Sequence, residues 1–262
     1  MRKLEIDELR KVQLGILDAL KDFCEQNGLT YWLDRGSLIG AVRHKGYIPW
    51  DDDIDTGMMR EDFDFFIRNF KSPDGRYKIL NVKLDPDAPY AYAKLCDTRT
   101  FLNEKGMELA VNIDIWPYDE IPDSTFLRSK MFAVRKACFY LDRLRKQTAR
   151  PNGNILRRCV VYAGRLAVRP FPLGWFSEKT VDSAVKYRGS GSDTVGNMMT
   201  PAGTICKKSL FASFLPAEFE GRTVSIPAGY DELLTGLYGD YMTLPPENER
   251  ETHHVIEAYA KD

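Results

Sequence analysis

The chain has 262 residues, 44% of them hydrophobic and 29% charged, with a formal net charge of −1. That balance describes a globular protein of one large domain or a core with an elaboration, and it excludes low-complexity, disordered and collagen-like classes. No run nears the roughly 18 apolar residues of a membrane span, and the N-terminus MRKLEIDELRK lacks the apolar centre of a signal peptide, so a cytoplasmic protein is expected. Five cysteines without a CxxC pair argue for buried thiols rather than a zinc site or a disulfide framework.

In chain order, Leu9, Val12, Ile16, Leu17, Leu20, Phe23 and Cys24 recur at helical spacing, and Asn27-Gly28 ends that helix. Thr30–Leu33 reads as a short strand, and SLIGAVRH as a helix capped by Ser37. A strand is predicted over Asp52–Met58, and REDFDFFIRNF as a helix with Phe63, Phe66, Ile67 and Phe70 on one face. Further strands are predicted at YKILNV, AYAKLCD and VNIDIW, from Tyr77, Ala91 and Val111. From Phe126 the pattern is helical, broken by Pro151-Asn152-Gly153, Pro170 and Pro172, and the last 70 residues mix strands, turns and a helix near GYDELLTGLYG. The expected fold class is α+β, a mixed sheet flanked by helices with a basic helical insertion. The expected parts are a core over 1–125, the insertion over 126–190 and a mixed segment over 191–262.

The near-zero net charge conceals segregation. Between Phe126 and Arg188 there are 15 Lys/Arg and three acids, a balance of +12, so the remainder carries −13. The basic stretch reads either as a solvated helical face or as a contact for an anionic membrane or a phosphorylated or lipid-linked glycan. Nucleic acid is disfavoured, because the rest of the chain is acidic and no recognition motif is present.

The chemistry concentrates in GYIPWDDDIDTGMM, where Asp51, Asp52, Asp53 and Asp55 lie between apolar residues. On a strand, Asp53 and Asp55 would share a face, their Cα atoms roughly 6.5–7 Å apart, with Asp52 turned away. Such a pair would raise each other's proton affinity unless a cation joined it, and carboxylates favour magnesium, with manganese as the alternative. Gly36-Ser37, a turn opening a helix, offers backbone N–H groups to a phosphate. Asp114, in VNIDIWP, supplies a third carboxylate as metal ligand or general base. Arg43 and Lys45 are candidates for donor phosphates or a basic surface turn, Lys94 is a phosphate-ligand candidate, and His44 fits a packing or an acid role. Trp50 and Trp116 flank the acids as pocket walls or core, and His253-His254 fit substrate contact or structure.

LDRGSLIGAVRHKGYIPWDDDIDTGM resembles the signature of the LicD family, which includes the fukutin-like proteins and belongs to the nucleotidyltransferase superfamily. The resemblance continues through AYAKLCDTRT, NIDIWPYDE and FEGRTVSIPAGYDELLTGLYGDYMTLPP. It implies a nucleotidyltransferase-like fold and a magnesium-dependent phosphotransferase. Its donor would be a CDP-activated alcohol such as CDP-choline or CDP-ribitol, its acceptor a glycan hydroxyl, and its by-product CMP. By position, Asp53 and Asp55 would bind the metal, and Asp114 would bind it or deprotonate the acceptor. Transfer of a nucleoside monophosphate with release of pyrophosphate, or binding without catalysis, are the alternatives on the same fold.

Overall fold

The computed structural model describes residues 2–104, 107–146, 154–199, 203–250 and 257–261. The strands are β1 (Arg2–Lys3), β2 (Trp32–Leu33), β3 (Asp55–Met59), β4 (Tyr77–Leu80), β5 (Ala93–Asp97), β6 (Thr100–Glu104), β7 (Met107–Leu109), β8 (Asn112–Glu120), β9 (Thr194–Asn197), β10 (Thr204–Lys207), β11 (Phe214–Phe219), β12 (Arg222–Pro227) and β13 (Glu257–Ala260). The α-helices are α1 (Ile6–Asn27), α2 (Arg35–Ile39), α3 (Arg60–Asn69), α4 (Thr125–Lys146), α5 (Ile155–Val168), α6 (Trp175–Val185) and α7 (Tyr230–Tyr238). None of them is long and apolar enough to cross a membrane. The fold is α+β, as the sequence predicts.

The chain forms two compact units, one of residues 1–79, 93–118 and 206–262, the other of 80–92 and 119–205. The first is built on the mixed sheet β4-β5-β8-β3-β2, in which β3 runs parallel to β8 while β2 is antiparallel to β3 and β5 to β8. It also holds an antiparallel sheet of β1-β13-β6-β7 and the hairpin β11-β12. Of the stripe its spacing predicts, helix α1 buries Leu9, Ile16, Leu17, Leu20 and Cys24, with Leu14 added and Val12 and Phe23 only half-buried, and Gly28 closes it in the left-handed conformation. Trp32 is fully buried against Tyr118 and Phe211, and it lies so close to Gly57 that a Cβ there would sit 2.4 Å from its indole nitrogen. The second unit packs α4 on α5 and α6, and pairs the end of β8 with β9.

Two sequence expectations are corrected. Strand β3 begins at Asp55 rather than Asp52; residues 51–54 form a non-repetitive loop, although Asp114 N–H still reaches Ile54 O at 2.9 Å. The helix after β2 is capped by Asp34, whose carboxylate accepts from Arg35 N–H at 2.9 Å, and it passes into a π-helical turn over Gly40–His44. Ser37 is freed from capping for a contact across the fold. Among the cysteines, Cys24, Cys96 and Cys138 are buried, whereas Cys159 is exposed.

Candidate active site

Parallel pairing sets Asp55 of β3 directly beside Asp114 of β8. Each backbone is fixed from a different direction. Asp55 N–H donates to Ser37 Oγ at 2.9 Å, Asp55 O accepts from Asp34 N–H at 2.9 Å, and Thr56 Oγ1 donates to Asp114 O at 3.0 Å. Ser37 thus ties the turn after β2 to the acidic strand.

Upstream, the loop is held from α1. Arg10 donates to the carbonyls of Pro49 and Asp51 at 3.1 and 2.7 Å, and Gln13 donates to Asp52 O at 2.8 Å while accepting from Tyr47 Oη. Because the loop does not alternate as a strand does, Asp52 does not face away. One carboxylate oxygen from each of Asp51, Asp52 and Asp53 falls within 4.8 Å of the other two. Gly36 lies against this group, since a Cβ on it would meet Asp51 Oδ2 at 2.8 Å. Only a residue without a side chain lets the turn come so near the loop.

The electrostatics follow from this crowding. Burial first, and then the charges of Asp55, Asp51 and Asp114, hold the Asp53 carboxyl well above the usual carboxylate range. Asp55 is raised from 3.8 to about 7 by burial and by Asp114, despite the opposing pull of Arg35 and of a 2.7 Å hydrogen bond from Trp116 Nε1. Asp114 accepts from Lys94 Nζ at 2.7 Å, and the same ammonium donates to Asn112 Oδ1 at 3.0 Å. Lys94, expected as a phosphate ligand, is placed on Asp114 itself.

Sequence reasoning passed over Arg35. Its backbone adopts φ +50, its guanidinium stacks over the Trp116 ring at 4.1 Å, and it feels Asp55 and Asp34 as its strongest charge partners. Asp34 is fully buried, accepts the Tyr118 hydroxyl through both oxygens, and has its proton affinity raised by burial. Tyr238, at the end of α7, is a further neighbour: burial pushes its phenol up, and the charges of Asp34, Asp55 and Asp51 bear on it. A signal for Arg35 existed in the run Asp-Arg-Gly-Ser, an arginine one residue before a turn already singled out.

The other basic candidates are engaged elsewhere. Arg43 donates to the carbonyls of Tyr241 and Thr243 and to His44 Nε2, tethering the segment after α7, and burial lowers its proton affinity. Lys45 forms an exposed ion pair with Glu218. Trp50 lies under the Arg250 guanidinium at 5.5 Å and near His44. His253 and His254 lie outside the described residues.

With this geometry in view, comparison with known proteins is decisive. The chain is 32% identical, over 99% of its length and 99% of the other protein's, to the lipopolysaccharide cholinephosphotransferase LicD of Haemophilus influenzae. The chain belongs to the LicD family. The family's domain model, described as LicD/FKTN/FKRP nucleotidyltransferase domain, matches residues 28–151 of this LicD-family chain. Human ribitol 5-phosphate transferase FKRP is 44% identical over 55 residues, which is 21% of this chain and 10% of that protein. An uncharacterized protein of Rickettsia typhi is 31% identical over 135 residues, 49% of this chain and 40% of its own length.

Proposed function

We propose that this LicD-family chain is a divalent-metal-dependent phosphotransferase. It moves a phospho-alcohol unit, phosphocholine or a similar group, from a CDP-activated donor to a glycan hydroxyl and releases CMP. The observation that carries the reading is the register that sets Asp55 beside Asp114, with the charges of both bearing on Asp53 and the Gly36-Ser37 turn alongside, in a chain that aligns end to end with a cholinephosphotransferase.

The carboxylates fit a hard cation. They are oxygen donors, half-buried side by side, and the raised proton affinities of Asp53 and Asp55 mark a site short of positive charge. Asp53, Asp55 and Asp114 would hold magnesium, or manganese, with Asp51 and Asp52 within reach of Asp53. When bound, the metal supplies charge neutralisation for the donor diphosphate and for the leaving CMP. The chain's own residues position the rest. Ser37 and Gly36 bring the turn against the carboxylates, Arg35 stacked on Trp116 adds a fixed cation beside Asp55, and Lys94 orients Asp114. In the transfer, the acceptor oxygen bonds to the alcohol-bearing phosphorus, the bond from that phosphorus to the CMP oxygen breaks, and the hydroxyl proton passes to a carboxylate, for which Asp114 is the candidate.

A lipid-linked glycan precursor as acceptor would bring the protein to the inner face of the cell membrane as a peripheral enzyme. The test is CMP release from CDP-choline and CDP-ribitol, with magnesium, manganese or chelator present. Metal-dependent CMP release is expected. Pyrophosphate from a nucleoside triphosphate, with no CMP from any CDP-alcohol, would overturn the reading in favour of nucleotidyl transfer, and donor binding without turnover would favour a non-catalytic module.

A further inference from the structure

Helix α5 is mounted with its more apolar side outward. At ~100° per residue, Ile155, Leu156, Cys159, Val160 and Leu166 share one half of its circumference. Ile155 is 80% exposed, Leu156 70%, Val160 64% and Leu166 68%. The opposite side makes the internal contacts. Gly164 fits against Leu144 of α4, where a Cβ would come within 3.2 Å, and Val168 is buried with Cys138 and Phe176. An amphipathic helix in a globular domain normally turns its apolar stripe inward. Here the stripe faces out, and it is too large to count as scattered surface residues.

Charge identifies what covers it. Helix α5 carries Arg157, Arg158 and Arg165, with Arg169 at its end, and has no acidic residue. The same unit's α4 adds Arg128, Lys130, Lys136 and Arg143, and its single acid, Asp142, is paired with Lys146. The acids of α6 are likewise occupied, Glu178 with Lys83 and Asp182 with Lys83 and Lys179. A second copy of this chain would set arginine against arginine across a shared apolar stripe. An anionic bilayer instead satisfies both halves of the surface, taking the apolar side chains among its acyl chains and the guanidinium groups among its phosphates.

We infer that α5 is an interfacial anchor, lying in the plane of an anionic membrane with Ile155, Leu156, Val160 and Leu166 inserted and Arg158 and Arg169 on the lipid phosphates. This deepens the peripheral placement above and rests on it only for which membrane is met. The α5 surface stands independently of the transfer chemistry.

The test is co-sedimentation of the full chain with vesicles of equal parts phosphatidylglycerol and phosphatidylcholine, against phosphatidylcholine alone. Binding to the anionic vesicles, weakened by high salt, is expected. The Leu156→Glu/Leu166→Glu double variant should weaken it on the order of 100-fold. Arg158→Gln/Arg169→Gln should weaken it about 25-fold, at about fivefold per arginine. Circular dichroism confirms that the variants are folded; Leu156, Leu166 and Arg169 are exposed, and Arg158 is half-buried at the flank of the stripe. Sedimentation equilibrium is the second arm. Failure of the wild-type chain to bind anionic vesicles, equal binding to neutral ones, or unchanged binding by the leucine variant would overturn the inference. So would a dimer that the leucine variant dissolves, which would assign the face to a second copy. No donor or acceptor is present in the assay, so a failure to release CMP leaves this inference standing.

Discussion

Replacing Asp55 by Asn is expected to move stability and activity in opposite directions. In the metal-free protein Asp55 is raised from 3.8 to about 7, first by burial and then by Asp114. The folded state therefore holds a proton that the unfolded chain gives up near pH 4, and stability falls as pH rises through the window from about 4 to about 7. Each tenfold change in proton affinity is about 1.4 kcal/mol, which puts the ceiling of that loss at about 4 kcal/mol above pH 7. Asparagine is nearly isosteric, keeps an oxygen for the Trp116 indole N–H that now bonds Asp55 Oδ1 at 2.7 Å, and carries no charge toward Asp114. Metal-free Asp55→Asn should thus be more stable than wild type at pH 8, by about 1–4 kcal/mol once relaxation of the neighbours is allowed for. The gap should close by pH 4. Saturating magnesium should narrow it as well, because wild type alone retains the full ligand set. The variant should also lose transfer. Urea unfolding at pH 4, 6 and 8, with chelator and with magnesium, measures the first effect, and CMP release the second. A variant less stable than wild type at pH 8, with the same pH slope, would refute the claim that buried like charges strain this site.

Lys94→Met removes the ammonium 2.7 Å from Asp114 and should lower kcat about 10–100-fold, as loss of an orienting partner does at metal sites, while chelator-treated protein keeps its secondary structure. Gly36→Ala places a methyl where Asp51 Oδ2 now lies. Because that oxygen ends a movable side chain, unfolding should shift by under about 1 kcal/mol while magnesium affinity, read by calorimetry, falls about tenfold. In the second unit, Asp142→Asn leaves Lys146 half-buried without its counter-charge, its Nζ still donating to Pro89 O at 2.6 Å, and should cost about 2 kcal/mol in urea unfolding. Restoring stability with a second change, Lys146→Met, would confirm that the cost is the stranded charge.

The register of Asp55 beside Asp114 follows a pattern visible in the sequence, where each acid sits between apolar residues on or next to a strand. The long helices were legible for the related reason that α1 and α3 repeat their apolar faces over several turns. What stayed hidden depends on contacts across the chain. Ser37 has the sequence look of a helix cap, yet its hydroxyl is taken by Asp55 N–H and Asp34 does the capping. Asp52 was read on the wrong side because alternation holds only within a strand, and the strand starts at Asp55. Arg35 gave no periodic signal, since its importance lies in a left-handed backbone and a stacked indole 81 residues later.

The way Arg10 and Gln13 hold the acidic loop has a further consequence. Their bonds go to the carbonyls of Pro49, Asp51 and Asp52, groups that every amino acid possesses. These bonds are therefore indifferent to which side chains the loop displays, although the Asp51 carboxylate also accepts the Asp52 N–H at 3.2 Å. The bonds from Arg10 and Gln13 would survive exchange of the carboxylates at 52 and 53 for amides or hydroxyls, whereas a change at 51 also touches the loop's own contact. Such a scaffold would let the groups presented beside Asp55 and Asp114 change by single substitutions, without the fold having to be rebuilt at each step.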